Sequence, residues 1–264
     1  MSRVLAVATM TLRRHIRSRI VWVVGAVTLG SLGFSQVGLI AVKRGLGGDA
    51  AAGEVVMSTL FGFSLPLFTT LIALVAAVTV ASCIRSDIAQ GTIYSVLSRP
   101  LARSEYLVGS LLGSMAVVLL AWFLFGIGAV TMAFLVRDPL TGGHYAAIGG
   151  HMLPTLVVSC AALCFATRFN VWAAVGLTVL VLGGRGVVQR IAGLLDLPNA
   201  VASTLSFPFP VMHALDGLTR RLAGGDLNPA PVLPGVIHLI DYALVMVVLA
   251  CFSFRRLDLN RTCE

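Results

Sequence analysis

Charges along this chain come in short clusters separated by long apolar runs, and that spacing sets the elements. No charge falls in Ile20–Val42, Val55–Ile84, Tyr106–Val136 or Ala146–Thr167; Phe169–Val188 carries only Arg185, and Gly235–Phe254 only Asp241. Helices of soluble domains usually end by about twenty residues. About twenty apolar residues, at 1.5 Å each, cross a hydrocarbon core roughly 30 Å thick. Six spans are predicted, near 20–42, 58–83, 106–136, 146–167, 170–188 and 235–254, within one transmembrane unit covering 1–264. The expected class is an all-α integral membrane fold.

The intervening segments add detail. Residues 3–19 place Leu5, Ala8, Leu12 and Ile16 at helical spacing, with Arg13, Arg14 and Arg17 off that line. An amphipathic helix on the membrane surface, or a plain basic flank, both fit. Pro66 lies within the second span; Ser64, Thr69 and Thr70 stand close enough to serve backbone carbonyls there. Ser104 and Glu105 suit the start of the third span, as N-cap and as complement to the helix dipole. The segment 190–234 is rich in proline and is expected to lie outside the membrane on the outer side.

Charge orients the chain. With the N-terminus inside, 12 Lys and Arg residues fall on the inner side and 7 on the outer, and the densest cluster precedes the first span. Lys and Arg concentrate in cytoplasmic segments, so both termini and residues 84–105 are expected in the cytoplasm, with the chain spanning a cell membrane. The N-terminal apolar piece is short and followed by arginines, so it reads as an uncleaved start.

Composition agrees and excludes alternatives. The chain of 264 residues is 58% hydrophobic and 11% charged, where a soluble domain carries roughly 25% charged residues. Its net charge of +8 sits in flanks of apolar runs instead of a stripe on a polar domain, which argues against a nucleic-acid partner. The five cysteines form no C-x-x-C pair, and His144, His151 and His213 scatter across positions expected at the outer interface; no metal site is predicted. A phosphate-binding loop needs G-x-x-x-x-G-K-[ST], and the single lysine, Lys43, stands between Val42 and Arg44. No standard ATP site exists in this chain, and no catalytic constellation of acids or histidines is visible, so it is not expected to be an enzyme.

The charged stretch between the second and third spans is the most informative. Ile84–Ala89 can carry a helix out of the membrane, and Gly91 suits the left-handed stop that ends helices. Thr92 can cap a short helix that Pro100 ends. In order, Asp87, Gly91, Thr92, Ile93-Tyr94, Leu97, Ser98, Arg99, Pro100, Arg103, Tyr106, Gly109 and Gly113 form a pattern that resembles the permease subunits of ABC-2 type ATP-binding-cassette transporters. The basic N-terminal segment is similar to that family's elbow helix, and six spans match its layout. Two positions depart from the family pattern: the acidic residue is usually Glu, here Asp87, and Ser110 stands where Lys is frequent.

The resemblance implies a transmembrane half that pairs with a second permease, identical or different, and with ABC ATP-binding subunits that hold ATP and magnesium. It implies a cytoplasmic coupling helix between spans 2 and 3, with Arg85, Asp87, Gly91, Thr92, Tyr94, Leu97, Arg99, Pro100 and Arg103 contacting the ATPase. Export is the implied direction.

Gly109 and Gly113, in G-x-x-x-G spacing, allow another helix to come close, and packing within the chain is favoured over dimerisation. Asp241, with His238 one turn earlier, is an acid within a span, and Arg185 approaches its level; an ion pair joining the fifth and sixth spans is expected. Two other readings remain at this stage: a polytopic membrane enzyme, or an ion-coupled secondary transporter using Asp241.

Overall fold

The computed structural model describes residues 3–17, 50–91, 102–136, 142–195, 198–206, 209–210 and 233–256, with scattered positions between 22 and 38. Regular structure among the described residues is helical throughout: α1 (Arg3–Arg17), α2 (Ala50–Ala89), α3 (Arg103–Val136), α4 (Gly142–Ala166), α5 (Val171–Leu194), α6 (Asn199–Ser206) and α7 (Leu233–Arg255). Five of these, α2 to α5 and α7, are long and apolar enough to cross a membrane. The described chain is therefore a multi-pass α-helical bundle suited to lipid. The predicted first span, 20–42, and most of the proline-rich segment lie outside the described residues.

Several boundaries moved for identifiable reasons. α2 runs 40 residues without interruption through Pro66. Thr69 and Thr70 donate to the Leu65 and Pro66 carbonyls, at 2.7 and 2.9 Å, so these hydroxyls serve the turn that follows the proline. α3 begins one residue before Ser104. Its cap is Ala102, whose N–H donates to Glu105 Oε2 at 2.9 Å while its carbonyl accepts from the Tyr106 N–H. Glu105 thus closes half of a capping box, and Ser104 lies inside the first turn. α5 opens on Asn170, whose side chain accepts from the Ala173 N–H at 2.8 Å, and it continues past the predicted end at 188 to Leu194.

α4 sits at the centre, packed against α2, α3, α5 and α7, while α1 lies along α3. α2 and α4 pack together, and Leu65, Ile72 and Ala76 of the first and Val157, Ala161 and Ala162 of the second are all essentially inaccessible. Small residues let two backbones approach closely where lipid supplies no hydrophobic drive between helices. Phe68 stacks on Phe125 at 4.2 Å between ring centres and meets Trp122 edge-on at 5.0 Å, joining α2 to α3. His151, expected at an interface, is instead a core residue: it is buried, with Nδ1 3.1 Å from Thr69 Oγ1. Thr69 gives its hydrogen to Leu65, so the His151 ring donates.

Candidate functional site

The two roots of the 84–105 stretch lie at one end of the bundle, and each is tied to another helix. On the first side α2 runs out to Ala89. The Gln90 N–H reaches the Ser86 carbonyl, the Gly91 N–H reaches that of Ile88, and Gly91 takes φ of 66°. A side chain there is disfavoured in this left-handed conformation, which is the helix stop expected of this glycine.

One turn earlier, Asp87 is buried to 3% exposure and forms an ion pair with Arg14 of α1. The Tyr106 hydroxyl of α3 donates to its other oxygen. Arg14 also donates to Ser86 Oγ at 3.1 Å and to Gln90 Oε1 at 3.3 Å. A carboxylate taken from water is tolerable only with such partners. Burial alone would lower the Arg14 pKa, but the hydrogen bond and charge of Asp87 outweigh it and raise it.

α1 reaches this position through the two glycines of α3. A Cβ on Gly109 would stand 2.7 Å from Val7 Cβ, and one on Gly113 would stand 2.6 Å from the Ala8 carbonyl oxygen and from Thr11 Cβ. The G-x-x-x-G pair is used within the chain, and its partner is the N-terminal helix. The face of α1 that packs is Val7, Thr11 and His15, whereas Leu5 and Ile16, the ends of the apolar line read from sequence, are exposed. A partly polar face thus turns inward against α3, with Ala8 and Leu12 of the apolar line half-buried at its edge. His15 is buried with Nε2 3.1 Å from Ser114 Oγ. Burial, and after it repulsion from Arg14, lowers its pKa, with Asp87 opposing.

On the second side Arg103, at the start of α3, donates to the carbonyls of Phe254 and Arg255 at 3.4 and 3.1 Å. These belong to the last turn of α7, where helix carbonyls lack partners and a cation is favourable. Tyr106 and Phe254 stack at 6.2 Å. A third tie joins the α4–α5 turn to α7: Thr167 Oγ1 donates to Ser253 Oγ at 3.0 Å, and Arg168 Nε does so at 2.8 Å. The end of the bundle that carries residues 84–105 is thus stitched by polar bonds across α1, α2, α3, α4 and α7.

Of the residues expected to act here, Asp87, Gly91 and Arg103 take part in these anchors, and Arg85 is half-buried beside them. Thr92, Tyr94, Leu97, Arg99 and Pro100 lie outside the described residues. Arg14, which the sequence places off the apolar line, is instead drawn into this anchor by Asp87. The available signal was its position on the same helical face as Val7, Thr11 and His15, a register that one apolar line concealed.

The intramembrane pair is also corrected. Arg185 on α5 and Asp241 on α7 form no ion pair; the one found among the described residues is Arg14–Asp87. α4 packs against both α5 and α7, and these two are not packed as neighbours. Adjacency in spanning order did not translate into adjacency in space.

No family model matches this chain, and no curated protein matches it.

Proposed function

We propose that this chain is the membrane-spanning permease subunit of an ABC-2 type ABC transporter, working with a separate ATP-binding subunit that supplies ATP hydrolysis, in the direction of export. In this reading residues 84–105 are the cytoplasmic coupling element, residues 3–19 the elbow helix, and residues 20–42 a sixth span. The translocation path forms with a second permease in the cell membrane.

The observation that supports it is the double anchoring of the hinge roots. Asp87 holds α1 through Arg14 and α3 through Tyr106, and Arg103 holds the end of α7. A push on the segment between these roots is passed to three helices together, because packed elements move as units between discrete arrangements. An ordinary inter-span loop has no need of a buried carboxylate at its root. The secondary-transporter alternative gains nothing, since Asp241 is exposed on the outside of α7 and not turned among the helices.

The test is uncoupling. Gly91→Val or Pro100→Ala, in chain co-purified with a co-expressed ATP-binding-cassette ATPase, is expected to leave assembly intact and abolish the permease's effect on ATP hydrolysis. Unchanged hydrolysis in both variants, with normal expression and helicity, overturns the assignment of this stretch.

A further inference from the structure

After α5 the chain turns back along that helix. α6 packs on α5, and just beyond α6 the Phe209 ring lies on Gly184, where an added Cβ would collide with Phe209 Cε1 and Cδ1. Gly184 stands ten positions before the Leu194 end of α5 and thirteen after its Val171 end. At 1.5 Å per residue it is about 15 Å inside the end opposite the hinge. Phe209 therefore returns to the depth of the spans, although the sequence pattern places all of 190–234 outside the membrane. Backbone outside a helix is tolerated at such depth only when protein buries it or it lines a water-filled cavity. Here Ser206 is buried, Pro210 is buried, and the Phe209 N–H donates to the Ser206 carbonyl at 3.1 Å. The prolines on either side of Phe209 bring no N–H that would need a partner.

Arg185 is the residue after Gly184. It continues the inward line of α5 that holds Ala174 and Thr178, both fully buried, and Leu182, which packs on the core. Arg185 itself is only half-buried, and it makes no ion pair among the described residues. The Cα–Cβ bond of a helical residue tilts toward the helix N-terminus. For α5 that is the hinge end, so the side chain sets out deeper into the bundle and away from the surface beyond Leu194. A guanidinium keeps its charge at any physiological pH. Ionised groups at this depth pair with one another or with carbonyls, or they face water and mark a ligand pathway. A returning backbone and an inward cation without an ionic partner thus meet at one level of one helix.

We propose that α5 and the returning segment 199–210 border a water-filled vestibule, open at the end opposite the hinge, in which Arg185 binds a phosphate group. The planar guanidinium matches a phosphate with two parallel N–H···O bonds, a fit that a point charge such as lysine lacks. One cation between low-dielectric walls also focuses its field and concentrates anions around it. Phe209 forms the apolar border of the site, and Gly184 is the position that lets its ring lie flush beside Arg185. The phosphate is that of a lipid headgroup or of a soluble molecule. The inference does not depend on the transport reading, and its test involves no ATPase.

Thiol labelling beside Arg185 tests both parts. Val188 is half-buried one turn further toward Leu194. Val188→Cys is made in full-length chain with the native cysteines replaced by alanine, held in phosphatidylcholine nanodiscs. It is expected to react with water-soluble methanethiosulfonates, the anionic ethylsulfonate reagent being favoured over the cationic trimethylammonium one. Arg185→Gln is expected to lower that rate ratio about ten-fold. Labelling by a neutral maleimide is expected to slow with inorganic phosphate in the buffer or with phosphatidylglycerol in the disc, and Arg185→Gln is expected to remove the slowing. Slowing by inorganic phosphate assigns the site to a soluble phosphate, and slowing by phosphatidylglycerol alone assigns it to a lipid headgroup. Helicity and melting confirm that the variants fold. If Arg185→Gln does not, Arg185→Lys serves, with the rate ratio kept and the slowing weakened. A Val188→Cys thiol that reacts with neither charged reagent overturns the proposal. So does a ratio that Arg185→Gln leaves unchanged, or labelling that neither phosphate source slows.

Discussion

Asp87 and Asp241 are two carboxylates on membrane-length helices with opposite surroundings. Asp87 is buried near one end of α2, with a cation from α1 and a hydroxyl from α3. Asp241 is exposed inside α7, with no ion pair among the described residues. The first closes its electrostatics within the chain and so makes the hinge end of the bundle a single mechanical piece. The second leaves its electrostatics open.

The sharpest way to break this comparison is to remove the internal cation. Arg14→Met leaves the Asp87 carboxylate buried with Tyr106 alone, and breaking such a pair costs about 3 kcal/mol or more. Asp87→Asn is expected to cost less, because the Arg14 side chain is 35% exposed and can turn to water. Denaturation in detergent checks both. Equal losses below about 0.5 kcal/mol would place Asp87 in the same class as an exposed surface ion pair.

Next in size is the docking of α1. Gly113→Leu drives a side chain into the Ala8 carbonyl, and such overpacking costs about 1–3 kcal/mol. Hydrogen exchange along residues 3–17 is expected to speed up, while exchange in α7 stays unchanged. Gly91→Val asks a branched residue to adopt a positive φ, at about 1–2 kcal/mol. Its signature is faster exchange over residues 86–91, with the α4–α7 ties unaffected.

The smallest effect is a pH dependence confined to the closed region. The His15 pKa is lowered by burial and by Arg14, so the folded state resists the proton that the free imidazole takes up near 6.5. Stability from neutral His15 is complete above that value. It is lost as pH falls below it toward the depressed folded value, since the unfolded state binds more protons there. α1 is expected to loosen over that window, and His15→Gln is expected to remove the slope. Asp87 and Arg14 are the charged groups that act on this titration.

The spans were legible because an uncharged run needs only length to be read, and the helices bear this out at five places. Gly91 was legible because few residues tolerate the φ it adopts. Gly109 and Gly113 declared that something packs there; that the partner is α1 was not written in their spacing. The Arg14–Asp87 pair joins residues 73 apart, and the apolar line of α1 did not mark the Val7, Thr11 and His15 face that packs on α3. The Arg185–Asp241 expectation failed because α4, earlier in the sequence than either, packs against both of their helices.

The central proposal is that the stretch between these anchored roots receives a soluble ATPase. A photo-crosslinking residue at Arg99, in chain held in nanodiscs, tests this against a co-expressed ATP-binding-cassette ATPase. The account predicts an adduct from position 99 that is absent from the same probe at Tyr145, in the first turn of α4 remote from the α4–α5 turn. No adduct from position 99, or equal adducts from both positions, would contradict it.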